Sequence, residues 1–315
     1  MALAFQKHDA GDYAGAASIF LQAATQFPAA RSFAARSIME EGQLQEAYDQ
    51  ATQAVSQAGS IPVTHFMLGL VAERAGRPDE AAQEYQRVLD LDPQAAAAYN
   101  NLGGLAYLKE DFYTARVQTE RALNYFHDAH SKSISLANLA ELDELDNHLD
   151  TAEERLNQAL DAAPEDAPAY YSLAALYDVT SRMPAALMME KNALGIDVHG
   201  AVWRSTSFVW PELELHAQAL AEEAAGQTQA ATEHWTALNQ IDTAGALHWS
   251  ALKGVAAAHL ARLSAPAAEM APQRALPEAA PALAPTTTAR PEVQRSPTEE
   301  PAIQIETSDE AVRSE

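Results

Sequence analysis

The chain has 315 residues and no cysteine, and 44 acidic against 20 basic residues leave a formal charge of −24. Alanine fills more than a fifth of the positions and aromatic residues only 7%, a composition that favours closely packed helices over sheet. The lack of thiols excludes disulfides, thiolate metal sites and thiol catalysis, and the acidity opposes binding to a phosphate backbone, so no nucleic-acid partner is expected. No apolar run approaches the 18 residues of a membrane span, so no membrane insertion is expected. The amino terminus reaches Lys7, His8 and Asp9 too soon for a secretory signal, which gives a cytoplasmic protein as the expectation.

In chain order, one block recurs: a small pair, a turn residue about seven positions later, and an alanine five further on. It opens with Gly11 and Ala16, and continues with Ala34-Ala35, Gly42 and Ala47, then Leu68-Gly69, Gly76 and Ala81. Leu102-Gly103, Glu110 and Ala115 follow, then Leu139-Ala140, Asn147 and Ala152, then Leu173-Ala174, Ser181 and Ala186, and finally Gly226 and Ala231. The alanines step by 31, 34, 34, 37, 34 and 45 residues. A period of this length marks stacked supersecondary units, none of which buries its apolar face alone.

The pattern resembles the tetratricopeptide repeat, a 34-residue helix–turn–helix unit. In that family, positions 4, 7, 8, 11, 20, 24, 27 and 32 are large, Leu, small, large, Ala, aromatic, Ala and Pro. The block from Pro62 supplies His65, Leu68, Gly69, Ala72, Ala81, Tyr85, Val88 and Pro93 there, and the blocks from Ala96 and Ala167 follow it with more departures. The resemblance implies an all-α, right-handed superhelical α-solenoid. About seven repeats are expected, over residues 1–27, 28–61, 62–95, 96–132, 133–166, 167–211 and 212–245, with a capping helix at 246–263. The repeat from 212 is the weakest match, with Gln218 and Glu222 at positions 7 and 11. Small residues at positions 8, 20 and 27 let the two helix backbones approach, and Gly at position 15 ends the first helix in a left-handed cap.

Several segments depart from the period. The first helix lacks about a turn. Three extra residues fall near 126–131, and about eleven near 195–210, where Trp203, Phe208 and Trp210 either pack into longer helices or meet a partner. Residues 264–315 hold eight of the sixteen prolines and no aromatic residue, a tail expected to be disordered. Within it, Ile303–Ile305 and Ser296-Pro297 are weak matches to a short linear motif and a phosphorylation site.

Nucleotide-binding, nucleophile-elbow and zincin signatures are missing, so no catalytic residues, cofactor or metal are expected. His127 and His130 flank Asp128, which reads as a capping or solvated group or, less well, as part of a metal site. Glu141–Glu154 carries seven acids in fourteen residues without a Lys or Arg, as a solvated face, a surface for a basic partner or a metal site. Gly103-Gly104 reads as a packing feature of the repeat.

The resemblance places the binding groove on the first helices, at positions 2, 5, 6, 9, 12 and 13, and the helical period groups 2, 5, 9 and 12 on one face. Onto these positions fall Arg36, Phe66, Met67, Leu70, Arg74, Asn100, Asn101, Tyr107, Asn138, Glu141, Glu144, Tyr171 and Asp178. Asn101 and Asn138 at position 6 offer a donor and an acceptor to a peptide backbone. The groove is apolar with Arg36 and Arg74 at its amino-terminal end and acidic toward its carboxy-terminal end. It suits another protein, through an extended segment of basic and apolar character, and disfavours the carboxylate-clamp relatives, which surround the asparagines with cations. The expectation is a non-catalytic scaffold or adaptor. The alternatives are a self-assembling module that associates through its amino-terminal end, and the recognition domain of a larger enzyme such as a glycosyltransferase.

Overall fold

A computed structural model describes residues 1–196, 211–241 and 250–264. Among the described residues the regular structure is α-helical. The first six hairpins are α1 (Ala2–Asp9) with α2 (Tyr13–Ala23), α3 (Ala30–Glu40) with α4 (Leu44–Ala58), α5 (Pro62–Arg74) with α6 (Pro78–Leu91), α7 (Ala96–Leu108) with α8 (Phe112–Tyr125), α9 (Ala129–Leu145) with α10 (Leu149–Ala162), and α11 (Ala167–Val179) with α12 (Met183–Ile196). After the segment 197–210 come α13 (Pro211–Ala224) and α14 (Thr228–Gln240), and then a single helix, α15 (Ser250–Ser264). Each helix packs on the next in sequence, and α3 also meets α5 and α9 meets α11, so the first helices of successive pairs adjoin along one side of an α-solenoid.

The turns follow from the recurring block. Gly11, Gly42, Gly76 and Gly226 take φ between 72° and 80°, and Glu110, Asn147 and Ser181 at the same register take 59–63°. Left-handed backbone there reverses the chain, whichever residue stands in it. Helix starts are marked by Pro62, Pro78 and Pro168 in the first turn, where the missing N–H costs little. Asp12, Asp111 and Asp128 cap α2, α8 and α9 by accepting from the amides of Gly15, Thr114 and Ser131. The Asp128 cap lets α9 begin at Ala129 and run for 17 residues, so the extra residues at this junction become helix. The segment with Trp203, Phe208 and Trp210, the first four residues of the expected capping helix (246–249), and the tail from 265 lie outside the described residues.

The core is a chain of small clusters. Phe20, Ala4, Ala16 and Ala34 form the first, with the Phe5 and Phe33 rings 5.0–5.6 Å from Phe20. Tyr85, Phe66, Val88, Tyr99 and Phe126 join the third and fourth pairs. Leu139, Leu142, Leu156, Leu173 and Leu176 continue the core, and Trp235, Leu220, Leu238 and Ala256 close it beneath α15.

Glycines at the same position of two successive hairpins show how tight the hairpins are. A Cβ on Gly69 would sit 2.6 Å from the Tyr85 ring, and one on Gly103 would sit 2.7 Å from Thr119 Oγ1. A Cβ on Gly104 would meet nothing within 4 Å, so of the Gly103-Gly104 pair only the first is a packing residue. Gly69→Ala is therefore expected to cost about 1–3 kcal/mol by forcing the Tyr85 ring aside. Gly104→Ala, free of any clash, is expected to gain about 1 kcal/mol of helix propensity. Urea unfolding of the two variants measures both, and equal effects would refute the assignment of the close contact to Gly69.

Candidate interaction groove

The face built by the first helices is continuous in its middle section. Tyr107 on α7 donates to Glu141 on α9 at 2.5 Å, and Asn138 on α9 donates to Asn100 on α7 at 3.3 Å. Glu144 lies one helical turn beyond Glu141. Burial pushes both carboxyls up, and for Glu144, raised well above the usual range, repulsion from Glu141 and Asp143 adds to the effect. The Tyr107 hydroxyl partly offsets burial at Glu141. Among the described residues no hydrogen-bond donor reaches Glu144. Gly104, at position 9 between Leu70 and Glu141, leaves a notch in the same row.

Other groove candidates are placed differently. Met67 is fully buried, Phe66 packs against the Tyr85 ring at 5.6 Å, and Asn101 is buried with its Nδ2 lacking an acceptor. These three support the floor rather than the surface. Leu70, Arg36 and Tyr171 are half-buried and Arg74 is exposed. Asp178 is interior: its carboxylate is 2.8 Å from His216 Nε2 and 2.9 Å from His259 Nε2.

The acidic run 141–154 is only partly a solvated surface. Asp143 is buried between Arg116 Nη1 at 2.6 Å and Arg155 Nε at 2.7 Å, and Arg116 also reaches Asp146 at 2.8 Å. Arg182 holds Glu153 at 2.9 Å. The cations come from α8, α10 and the turn before α12, so all four pairings reach outside the acidic run.

A second regularity emerges from the bonds. Tyr85 donates to Glu73 at 2.9 Å and Trp235 Nε1 donates to Glu223 at 2.8 Å. Both pairs join position 24 of a repeat to position 12. Where position 24 lacks a donor the acid is left differently. Leu156 stands opposite Glu144, and Glu190 stands opposite Asp178. Glu190 is itself buried with Oε1 unpartnered, and burial raises it to about 8. The weak match at Glu222 also has a local partner, His234 at 2.7 Å.

A profile of the tetratricopeptide repeat matches residues 66–127 and 146–189. The chain is a tetratricopeptide-repeat protein. By sequence it is similar to the mouse protein O-mannosyl-transferase TMTC1, 35% identical over 77 residues, which are 24% of this chain and 8% of the transferase. The human TMTC1 is 29% identical over 119 residues, 35% of this chain and 13% of that protein. The chain thus spans a small part of these relatives. In fold it is similar to the hetero-tetramer of APC/C subunits Cut9–Hcn1, with a TM-score of 0.57, 22% identity, and 71% of this chain and 42% of that one covered. It is also similar to PilF of Pseudomonas aeruginosa, with a TM-score of 0.51, 16% identity, and 71% and 96% covered. Tetratricopeptide repeats serve as protein-interaction scaffolds. Among the described residues no helix is long and apolar enough to cross a membrane.

Glu190 offers a direct check on the buried-acid reading. Its raised value means the folded chain holds a proton that the unfolded chain releases above about 4.5, so its contribution is lost as pH rises toward 8. Glu190→Met, similar in length and apolar, is expected to be more stable than the parent by about 1–3 kcal/mol at pH 8, with the difference shrinking toward pH 5. Thermal melts across that range test it, and a difference independent of pH would refute it.

Proposed function

We propose that this tetratricopeptide-repeat protein is a non-catalytic, cytoplasmic scaffold whose first-helix face binds an extended protein segment of basic and apolar character. The observation that carries the reading is Glu144, a carboxylate on that face with no donor among the described residues and a second carboxylate, Glu141, one turn away. A lysine or arginine from a partner supplies the missing donor and the compensating charge. Leu70 and the notch at Gly104 accept an apolar side chain beside it, and the Asn100–Asn138 pair presents amide groups to the partner's backbone.

Selection of random peptides by phage display on the full chain tests this. The enriched sequences are expected to combine Lys or Arg with apolar residues. Gly104→Leu, which fills the notch without touching the core, is expected to weaken their binding at least tenfold with the melting temperature retained. Binding is expected to strengthen as pH rises, because burial raises Glu141 and Glu144 and their deprotonation favours a cation, and to weaken with salt. Enrichment of acidic peptides, or unchanged binding by Gly104→Leu, would defeat the proposal.

A second reading takes the array as the recognition part of a larger enzyme, and the similarity to TMTC1, named a protein O-mannosyl-transferase, supports it. A third takes it as a self-associating module, supported by the exposed Leu3, Phe5 and Phe27 near the amino-terminal end. An immunoblot of source cells followed by sedimentation of the purified chain separates the three. A 33.9 kDa monomer fits the free scaffold, a several-fold longer polypeptide fits the enzyme part, and a concentration-dependent oligomer fits self-association.

A further inference from the structure

One position of the repeat changes its chemistry in order along the groove. Position 9 is Arg36 on α3, Leu70 on α5, Gly104 on α7, Glu141 on α9 and Ala175 on α11. The junction between first helices brings position 12 of one to position 9 or 10 of the next. Tyr107 meets Glu141 in this way, and at the amino-terminal end His8 Nδ1 is 2.9 Å from Ser37 Oγ. Arg36 stands at that second junction, where burial first and then the Arg36 charge hold His8 below its ordinary value. For Glu144 the residue at position 9 of the next first helix is Ala175, whose methyl group offers no donor, and α9 adjoins α11.

The two ends of this row carry opposite charges that the described residues leave unpaired. Arg36 is half-buried and is not among the cations paired with a carboxylate. Glu144 has no donor among the described residues. Between them, position 9 offers an apolar side chain, Leu70, and the notch at Gly104. Arg74 adds to the basic end but follows Glu73, whose carboxylate accepts from Tyr85, so Arg36 is the anchor. Packed helices lie about 8–10 Å apart, so the three steps from α3 to α9 span roughly 24–30 Å. An extended chain covers that distance in about seven to nine residues. The formal charge of −24 makes the arrangement selective. An acidic side chain is repelled over most of the molecule and meets a local cation at the Arg36 end. A basic side chain is drawn to the Glu144 end and repelled by Arg36.

We propose that the groove recognises a dipolar protein segment: an acidic side chain at Arg36, an apolar one at Leu70 and the Gly104 notch, and a lysine or arginine at Glu144, with about seven to nine residues from acid to cation. The cation at Glu144 belongs to the scaffold reading, on which this inference rests. The acid, its place at Arg36 and its distance from the cation are new. Opposite charges at the two ends give the partner one orientation on the array, since turning it end for end brings like charges together at both.

Fluorescence anisotropy of labelled synthetic peptides on the full chain, at low salt, decides it. The peptide carries one glutamate and one lysine about eight residues apart, with a central leucine in an alanine and serine spacer. Both sequence orders are made, because the charges fix the ends but not the backbone direction, and the tighter binder serves as parent. Replacing its glutamate by alanine is expected to weaken binding about threefold to fivefold, the size of a half-exposed ion pair. Moving the glutamate next to the lysine is expected to cost as much. On the Arg36→Ala chain, loss of the glutamate is expected to make no difference. If the peptide without glutamate binds as tightly as the parent while loss of the lysine abolishes binding, the dipolar inference falls and the scaffold reading stands. That comparison needs no variant of the protein. If the glutamate matters equally on Arg36→Ala, the acid is bound elsewhere and the inference also falls. If the lysine makes no difference, or no peptide binds, both fall together.

Discussion

The closeness of the two helices within each pair is the constraint on which the rest depends. Gly69 has no room for a Cβ because the Tyr85 ring lies against it, and Gly103 is in the same state against Thr119. A backbone brought that near can carry a bulky partner at position 24, and that partner then reaches the carboxylate at position 12 of its own repeat. The small residue at position 8, the large one at 24 and the acid at 12 form one unit of packing. Alanine abundance is the visible sign of the same requirement repeated along the chain.

That constraint made most of the fold legible. The seven turn residues picked from spacing are the residues with left-handed backbone, including Glu110, Asn147 and Ser181, which composition alone would not single out. Local geometry was readable because turns and close approaches are set within a single helix hairpin, Gly69 and Tyr85 lying in one and Gly103 and Thr119 in the next. The surface was less legible. Positions 5 and 6 alternate between groove and floor according to the roll of each helix, so Phe66, Met67 and Asn101 fall inside while Asn100 and Asn138 meet across the face. Helical spacing gives the sector of a residue but not its depth.

The polar interior was the least legible part. Asp178 pairs with residues 38 and 81 positions away, and a scattered histidine carries no signal of such a partner. The same holds for Asp143, where nothing within the acidic run points to Arg116 on one neighbouring helix and Arg155 on the next. In a solenoid each repeat contacts its neighbours, so a charged residue at an inner position is compensated from an adjoining repeat. Its role is visible only when that repeat is in place.

Repeats that share one backbone therefore differ most in how they compensate the same column of acids. At position 12, Glu73 and Glu223 are met by the ring donor of their own repeat, Asp178 by two histidines, and Glu144 by no hydrogen-bond donor among the described residues. The arrangement at Glu73 lies within its own repeat, whereas Glu223 is also met by His259 and Arg262 of α15. The third ties the last helix to a repeat that it follows by some eighty residues. The fourth leaves a charge that desolvation makes costly and a cation would relieve. Identical geometry with unequal compensation separates the acids met within their own repeat from those met by another repeat or by no donor among the described residues.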